Sequence, residues 1–229
     1  MTNSVIAERP PSLPPQLRGP MATVAVLATL VVALLGILYS ADTGPGAFDR
    51  WAQPAFDDVE APLRYVALLI DFGGEPLGAA LLVTTLVAAC VLLGRGPMAV
   101  LGIAGPGLTV VATTVLKPIV GRTIHGHHLA YPSGHTALAA ALALIVALLV
   151  VDLLRVGKLA GVLMIMAAAI LAGAAMAWAQ VALGAHYPTD TLGGFCTALA
   201  VVPAAAWLVD RATYRTGSSG AARPNGRSR

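Results

Sequence analysis

The sequence has very little charge for its length. Of its 229 residues 11% are charged, whereas a typical soluble domain has about 25%. Hydrophobic residues make up 57% of the chain, and the mean hydropathy is +0.80. So few charges cannot cover a water-exposed surface, which excludes an ordinary soluble fold. Only two cysteines are present, Cys90 and Cys196, and both fall inside apolar runs, so we predict buried packing residues instead of a disulfide framework.

The positive charge lacks the arrangement that nucleic-acid binding needs. The formal net charge is +3, but the Lys and Arg residues are scattered between apolar runs and concentrated at the C-terminus. A nucleic-acid surface requires clustered basic residues, so we predict no nucleic-acid partner. Residues 1–20 are polar and Pro-rich and residues 211–229 are basic, and we predict that both segments are disordered cytoplasmic tails.

Six uncharged runs account for most of the remaining chain. A helix needs roughly 20 apolar residues to cross about 30 Å of hydrocarbon. The runs cover residues 21–39, 76–93, 98–116, 136–151, 159–183 and 191–209. They predict an all-α integral membrane protein, with a bundle of six transmembrane helices forming one domain over residues 21–210. A shorter apolar segment at 65–70 follows an acidic stretch, and we predict that it is interfacial or re-entrant.

The distribution of basic residues predicts the orientation of the bundle. Ten of the 14 Lys and Arg residues lie on the side of the N-terminus when the spans are alternated. Positive residues are retained in the cytoplasm, so both termini are predicted to be cytoplasmic. The abundance of Ala and Gly and the preference for Arg over Lys are typical of GC-rich bacterial genomes, and we predict a multi-pass protein of the bacterial plasma membrane.

Nearly all reactive side chains fall at the predicted outer face. The five histidines lie at the outer ends of spans three to six, and Lys117, Arg122 and Asp190 lie at the same level. These histidines are His125, His127, His128, His135 and His186. Because one face collects the groups capable of acid, base, nucleophilic and anion-binding chemistry, we predict that the active site lies there.

Two cations end the third span. Lys117 and Arg122 are five residues apart in the segment KPIVGR. Where a helix leaves the membrane, such a pair can bind an anion such as phosphate, with Arg acting as a planar fork and Lys as a point charge. The alternative is that both residues are long basic side chains that reach the interface without binding a ligand.

The tetrapeptide PSGH, at residues 132–135, opens the fourth span. Ser133 can cap a helix whose free backbone N–H groups and dipole favour an anion. Gly134 allows a ligand to approach the backbone closely, and His135 can give a proton to a leaving group. The alternative is a plain helix cap followed by an incidental histidine.

The sixth span opens with HYPTD, at residues 186–190. A spacing of four places Asp190 within reach of His186 once the first helical turn forms. A carboxylate that holds Nδ1–H leaves Nε2 free to attack, as a histidine nucleophile requires. Pro188 also suits a helix start, so capping explains part of this pattern.

In this order and on one face, the three patterns resemble the type 2 phosphatidic acid phosphatase family of membrane lipid phosphate phosphatases, over residues 64–210. That family carries K-x6-R-P, P-S-G-H and S-R-x5-H-x3-D, and it shares its catalytic core with vanadium haloperoxidases. The resemblance implies phosphoryl transfer without a metal or another cofactor. His186 would attack phosphorus, Asp190 would orient it and His135 would protonate the leaving group. Lys117, Ser133 and Gly134 would bind phosphoryl oxygens.

The chain departs from the family pattern at two arginines. Counting from Lys117, the first arginine should be at the position of Ile124, and counting from His186, the second should be at that of Gln180. Arg122 is expected to replace the first. Gln180 can still donate hydrogen bonds to phosphate, but it carries no charge, and the loop histidines are candidates for the missing positive charge.

The leading hypothesis is therefore a membrane phosphatase acting at the outer leaflet on a lipid-linked phosphate or diphosphate, such as phosphatidic acid, phosphatidylglycerophosphate or a polyprenyl phosphate. A second hypothesis is a weakened or inactive family member that binds or transports lipid phosphates. A third is a Zn or Cu site formed by the His-x-His-His segment at residues 125–128 with His135 or His186. It ranks lowest because defined metal sites use helical spacing and carboxylate or thiolate partners.

Overall fold

The computed structural model describes residues 10–56 and 59–221, with side chains described as far as Thr213. The chain is mainly helical. Its helices are α1 (Pro15–Leu38), α2 (Ala47–Ala52), α3 (Ala61–Phe72), α4 (Pro76–Leu92), α5 (Gly96–Val120), α6 (Gly134–Leu153), α7 (Lys158–Ala182) and α8 (Pro188–Ala221). A 3-10 turn, Gln53–Ala55, follows α2, and a two-stranded antiparallel hairpin, β1 (Thr123–Ile124) with β2 (His128–Leu129), joins α5 to α6.

Five of these helices, α1, α5, α6, α7 and α8, are long and apolar enough to cross a membrane. The remaining predicted span, over residues 76–93, differs, because α4 has only 17 residues and is preceded by α3 across a bend of 60°. The pair α3 and α4 forms a broken span or a re-entrant loop, and the segment 65–70 lies within α3. The total is thus five spans, or six if the bent pair counts as one.

The bend between α3 and α4 has a local cause. Gly73 and Gly74 end α3, and Glu75 precedes Pro76, which disfavours a helical conformation at Glu75. Gly78 then packs against the end of α3, since a Cβ atom at that position would be 1.8 Å from the carbonyl oxygen of Phe72. Only glycine allows the two helices to approach this closely.

The helix α6 lies at the centre of the bundle. It packs against α4, α5, α7 and α8, and most of its side chains are buried. Ala137, Ala140 and Ala141 are fully buried, as small residues are where membrane helices approach closely. Both cysteines are free thiols with buried side chains, in agreement with the predicted packing role.

The ends of the bundle differ from the predicted tails. Helix α1 begins at Pro15, six residues before the predicted first span, and α8 continues to Ala221. Ser12 is buried, and its backbone N–H and hydroxyl both donate to Asp210 at 2.7 Å, so the described chain ends meet at one end of the bundle. Residues 1–9 and 222–229 of the predicted tails lie outside the described residues. The cytoplasmic location of this end stays a prediction.

Candidate active site

The candidate residues lie at the opposite end of the bundle from Ser12 and Asp210. Lys117 is in the last turn of α5, the three loop histidines are in the β1–β2 hairpin, and PSGH begins α6. Gln180 is near the end of α7, and HYPTD begins α8. Glycine at position 121 ends α5 in a left-handed conformation, with φ of +68°, and so turns the chain into the hairpin.

His186 is buried beside Asp190. Its side chain is 8% exposed, and its Nδ1 lies 3.7 Å from Asp190 Oδ2, which is longer than a hydrogen bond. The Nδ1 atom has no hydrogen-bond partner among the described residues. Burial lowers the pKa of the His186 imidazole, although the Asp190 carboxylate acts in the opposite direction, and Lys117 and His135 lower it further. Burial therefore favours the neutral form of His186, which has a lone pair on one ring nitrogen.

The start of α6 is tied to the start of α8. The Ser133 hydroxyl accepts a hydrogen bond from the Thr136 N–H at 3.4 Å and caps α6, as predicted. The Ser133 N–H donates to the backbone oxygen of Asp190 at 2.9 Å. Gly194 permits this approach, because a Cβ atom there would lie 2.2 Å from the Ser133 oxygen. The two predicted motifs, PSGH and HYPTD, thus lie side by side.

Arg122 does not fit the predicted role of a phosphate ligand. Its side chain is fully buried between the rings of Tyr39 and Tyr187. Its guanidinium donates to Asp49 Oδ2 at 2.5 Å and to Asp190 Oδ1 at 2.7 Å. Both terminal nitrogens are thus taken up by carboxylates. Arg122 holds Asp190 from the side opposite His186, while Asp190 Oδ2 accepts the Tyr187 N–H at 3.0 Å.

Asp49 is a residue that sequence reasoning missed. It lies on α2, is fully buried, and accepts hydrogen bonds from the N–H and hydroxyl of Thr189 at the start of α8, at 2.9 and 3.0 Å. Burial alone would raise its pKa, but the hydrogen bonds from Thr189, Arg122 and Gly46 hold the pKa of this carboxyl below its usual range. Its presence in the acidic stretch was the only available signal, and nothing there distinguishes it from its neighbours.

Gln180, predicted to donate to phosphate, is hydrogen-bonded within the protein. Its side chain is buried, and its amide nitrogen donates to Asp71 Oδ1 at 2.5 Å. Asp71 and Glu75 belong to the corner between α3 and α4, and they approach His135 Nε2 to 3.7 and 3.6 Å. Where the family pattern has an arginine, this chain thus has an amide that is hydrogen-bonded to a carboxylate. The only indication of Asp71 and Glu75 in the sequence was that they follow the apolar segment 65–70.

The three loop histidines form no metal-binding group in the described part of the chain. His125 Nε2 pairs with the backbone oxygen of Gly184 at 2.8 Å, and the exposed rings of His127 and His128 stack with centroids 4.0 Å apart. The group with ligand atoms close enough for a metal consists of Asp71, Glu75 and His135, within 4.8 Å of one another. The site predicted for Zn or Cu is therefore not the arrangement found.

Comparisons with known proteins agree with this fold. The sequence matches the PAP2 superfamily over residues 79–214, more than half of the chain. No curated protein matches the sequence. The fold resembles the crystal structure of a transmembrane PAP2 type phosphatidylglycerolphosphate phosphatase from Bacillus subtilis, with a TM-score of 0.64 and 21% identity, covering 89% of this chain and 98% of that chain. Both the predicted family and the helical membrane fold are confirmed: the chain belongs to the PAP2 superfamily.

Proposed function

We propose that the protein is an integral membrane phosphatase that releases phosphate from a lipid phosphate or diphosphate at the outer leaflet of a bacterial plasma membrane. The observation that carries the proposal is the buried, neutral His186, with Asp190 behind its Nδ1 atom and His135 and Lys117 close enough to affect its titration. A histidine nucleophile requires this set of groups. The site lies at the ends of membrane helices, where an amphiphile has its head group in water and its tail in lipid.

The first chemical step transfers the phosphoryl group to His186. Its Nε2 lone pair attacks phosphorus while the bond from phosphorus to the leaving oxygen breaks, and protonated His135 gives its proton to that oxygen. Nδ1 keeps its proton toward Asp190, and the 3.7 Å separation shortens as positive charge develops on the ring. Lys117, Ser133 and the backbone at Gly134 are placed to stabilise the phosphoryl oxygens.

The second step returns the enzyme to its starting state. Water attacks phosphorus, its proton passes to His135, and the P–N bond breaks to release inorganic phosphate and neutral His186. Arg122, whose guanidinium lies 2.7 Å from Asp190 Oδ1, holds the Asp190 carboxylate in place during both steps. The positive end of the α8 dipole favours the same carboxylate.

A second candidate function is lipid-phosphate binding or transport without turnover. One observation favours this function. The Gln180 amide nitrogen donates to Asp71 Oδ1 at 2.5 Å, so this part of the site lacks the positive charge that an arginine would supply. Arg122 does not compensate, since its nitrogens are bound to Asp49 and Asp190.

One assay separates the two functions. Phosphate release by the purified protein in detergent is measured with EDTA on phosphatidic acid, phosphatidylglycerophosphate and polyprenyl phosphates, for the wild type, His186→Ala and Gln180→Arg. Release by the wild type that falls at least about 1,000-fold in His186→Ala supports the phosphatase, since removing a nucleophile can cost on the order of 10⁶-fold in kcat. If the wild type is inactive on every lipid and Gln180→Arg gains activity, the binding function replaces it.

A further inference from the structure

An apolar slot opens between three helices at the same end of the bundle as His186. It has a volume of about 210 Å³ and is lined by Thr136 of α6, by Gly173, Ala174 and Ala177 of α7, and by Thr191 and Phe195 of α8, among others. All residues that line it are uncharged. Because these helices are apolar enough to span a membrane, the slot lies in the hydrocarbon region just below the candidate active site.

The slot leads directly to the groups assigned to phosphate. Thr136 lines the slot, and its hydroxyl oxygen lies 3.2 Å from that of Ser133. Thr191, on the opposite wall, is the residue next to Asp190. On α7, Ala177 is one turn before Gln180, and residues three apart share a helix face. All three walls of the slot therefore continue into the site.

An aromatic ring narrows the slot. The ring of Phe195 packs so tightly on Gly173 that a Cβ atom there would lie 2.7 Å from the ring. The volume of about 210 Å³ is also below the roughly 300–1,000 Å³ of pockets that enclose whole small molecules. The slot has room for part of one hydrocarbon chain, while the rest of a lipid stays in the bilayer.

A larger groove, of about 780 Å³, lies between α1, α5 and α8, but a side chain separates it from the site. Tyr131 is fully buried and donates its hydroxyl proton to the Val32 oxygen at 2.8 Å. Gly36 of α1 and Gly193 of α8 both approach this ring, so Tyr131 fills the space between the two helices. A chain in the larger groove would have no direct path to Ser133.

We propose that the slot between α6, α7 and α8 binds the first part of a hydrocarbon chain of the lipid phosphate. This inference rests on the proposed function and adds where the tail of the substrate lies. The head group at His186 then enters the site from the membrane side, between α7 and α8. The chain provides binding energy that does not depend on the missing arginines, because burial of methylene groups is favourable for any lipid.

The kinetic test fills the slot with a larger side chain. Ala174→Leu is compared with Ala175→Leu, an exposed neighbour on the same helix that is not among the slot residues, and with Ala204→Leu, which fills the larger groove. For each, kcat/KM is measured on long-chain phosphatidic acid and on p-nitrophenyl phosphate, which has no chain. We expect kcat/KM for phosphatidic acid, divided by kcat/KM for p-nitrophenyl phosphate, to fall about tenfold in Ala174→Leu alone. This is the effect expected when two methylene groups of the lipid leave the slot. A fall in Ala204→Leu alone, or equal ratios in all variants, overturns the proposal.

A second measurement needs no turnover. A long-chain phosphatidic acid with a photoactivatable diazirine in its chain is cross-linked to the full-length protein in detergent, and the labelled residues are identified by mass spectrometry. We expect adducts on α7 and α8 around Ala177 and Phe195, and competition by unlabelled phosphatidic acid. Adducts confined to α1 and α5, or insensitive to the competitor, overturn the proposal. If these adducts form but no phosphate is released from any substrate, the slot stands while the phosphatase function fails.

Discussion

The two sides of the candidate active site are built in opposite ways. On one side the fully buried Arg122 binds the fully buried carboxylates of Asp49 and Asp190. On the other side His135, Asp71 and Glu75 are partly exposed and separated by 3.6 to 3.7 Å, beyond hydrogen-bond distance. A closed ionic network has one arrangement, whereas loosely placed groups can move toward a ligand. Under the proposed function, we infer that the Asp190 side would fix His186 and that the His135 side would adapt to the substrate.

The largest expected effect comes from breaking the closed side. In Arg122→Ala, two buried carboxylates lose their cation, and we expect the free energy of unfolding to fall by about 3–5 kcal/mol. Thermal unfolding of the purified protein in detergent measures this loss. The control is Arg50→Ala, which removes an exposed guanidinium bound to the Pro45 oxygen and should leave the melting temperature unchanged. An unchanged melting temperature in Arg122→Ala, with a raised KM, would instead make Arg122 a phosphate ligand.

A smaller effect is expected from Asp49→Asn, which keeps the shape of the side chain. The folded pKa of Asp49 is lowered, so its stabilising contribution is present above the unfolded value of about 3.9 and is lost as the pH falls through the folded value. We expect a loss of about 1–3 kcal/mol at pH 7, typical of a weakened buried hydrogen bond to a charged group.

The pH dependence makes this prediction specific to Asp49. Melting temperatures are compared between pH 7 and pH 3 for the wild type, Asp49→Asn and Asp42→Asn, the last removing an exposed carboxylate of the loop before α2. The difference in melting temperature between the wild type and Asp49→Asn should become smaller below about pH 4. A difference in melting temperature that is constant from pH 3 to pH 7 would mean that the ionised form of Asp49 does not stabilise the fold.

The two sides also differ in how far the sequence predicted them. Apolar runs and local motifs identified five spanning helices, the Ser133 cap, and the proximity of Asp190 to His186 at 3.7 Å, because each depends on residues at most a few positions apart. The partners of Arg122 and Gln180 are 73 and 109 residues away. Such contacts depend on how α2 and the α3–α4 corner pack on the bundle, which no local spacing encodes. The segment 65–70 was predicted to be interfacial or re-entrant, but the bend of 60° between α3 and α4 was not predicted, for the same reason.

The smallest expected effect concerns the open side. Asp71→Asn removes a negative charge that would repel the bound phosphate. We expect inorganic phosphate to inhibit this variant about threefold more strongly than the wild type. The gain is modest because the site is partly solvated and screened by salt. The inhibition constant is measured against the preferred lipid. Asp152→Asn is the matched control, since its carboxylate pairs with Arg95 at 2.7 Å at the other end of α6. Equal inhibition constants in the two variants would mean that Asp71 serves only to hold Gln180, and that the open side does not set the charge that the substrate meets.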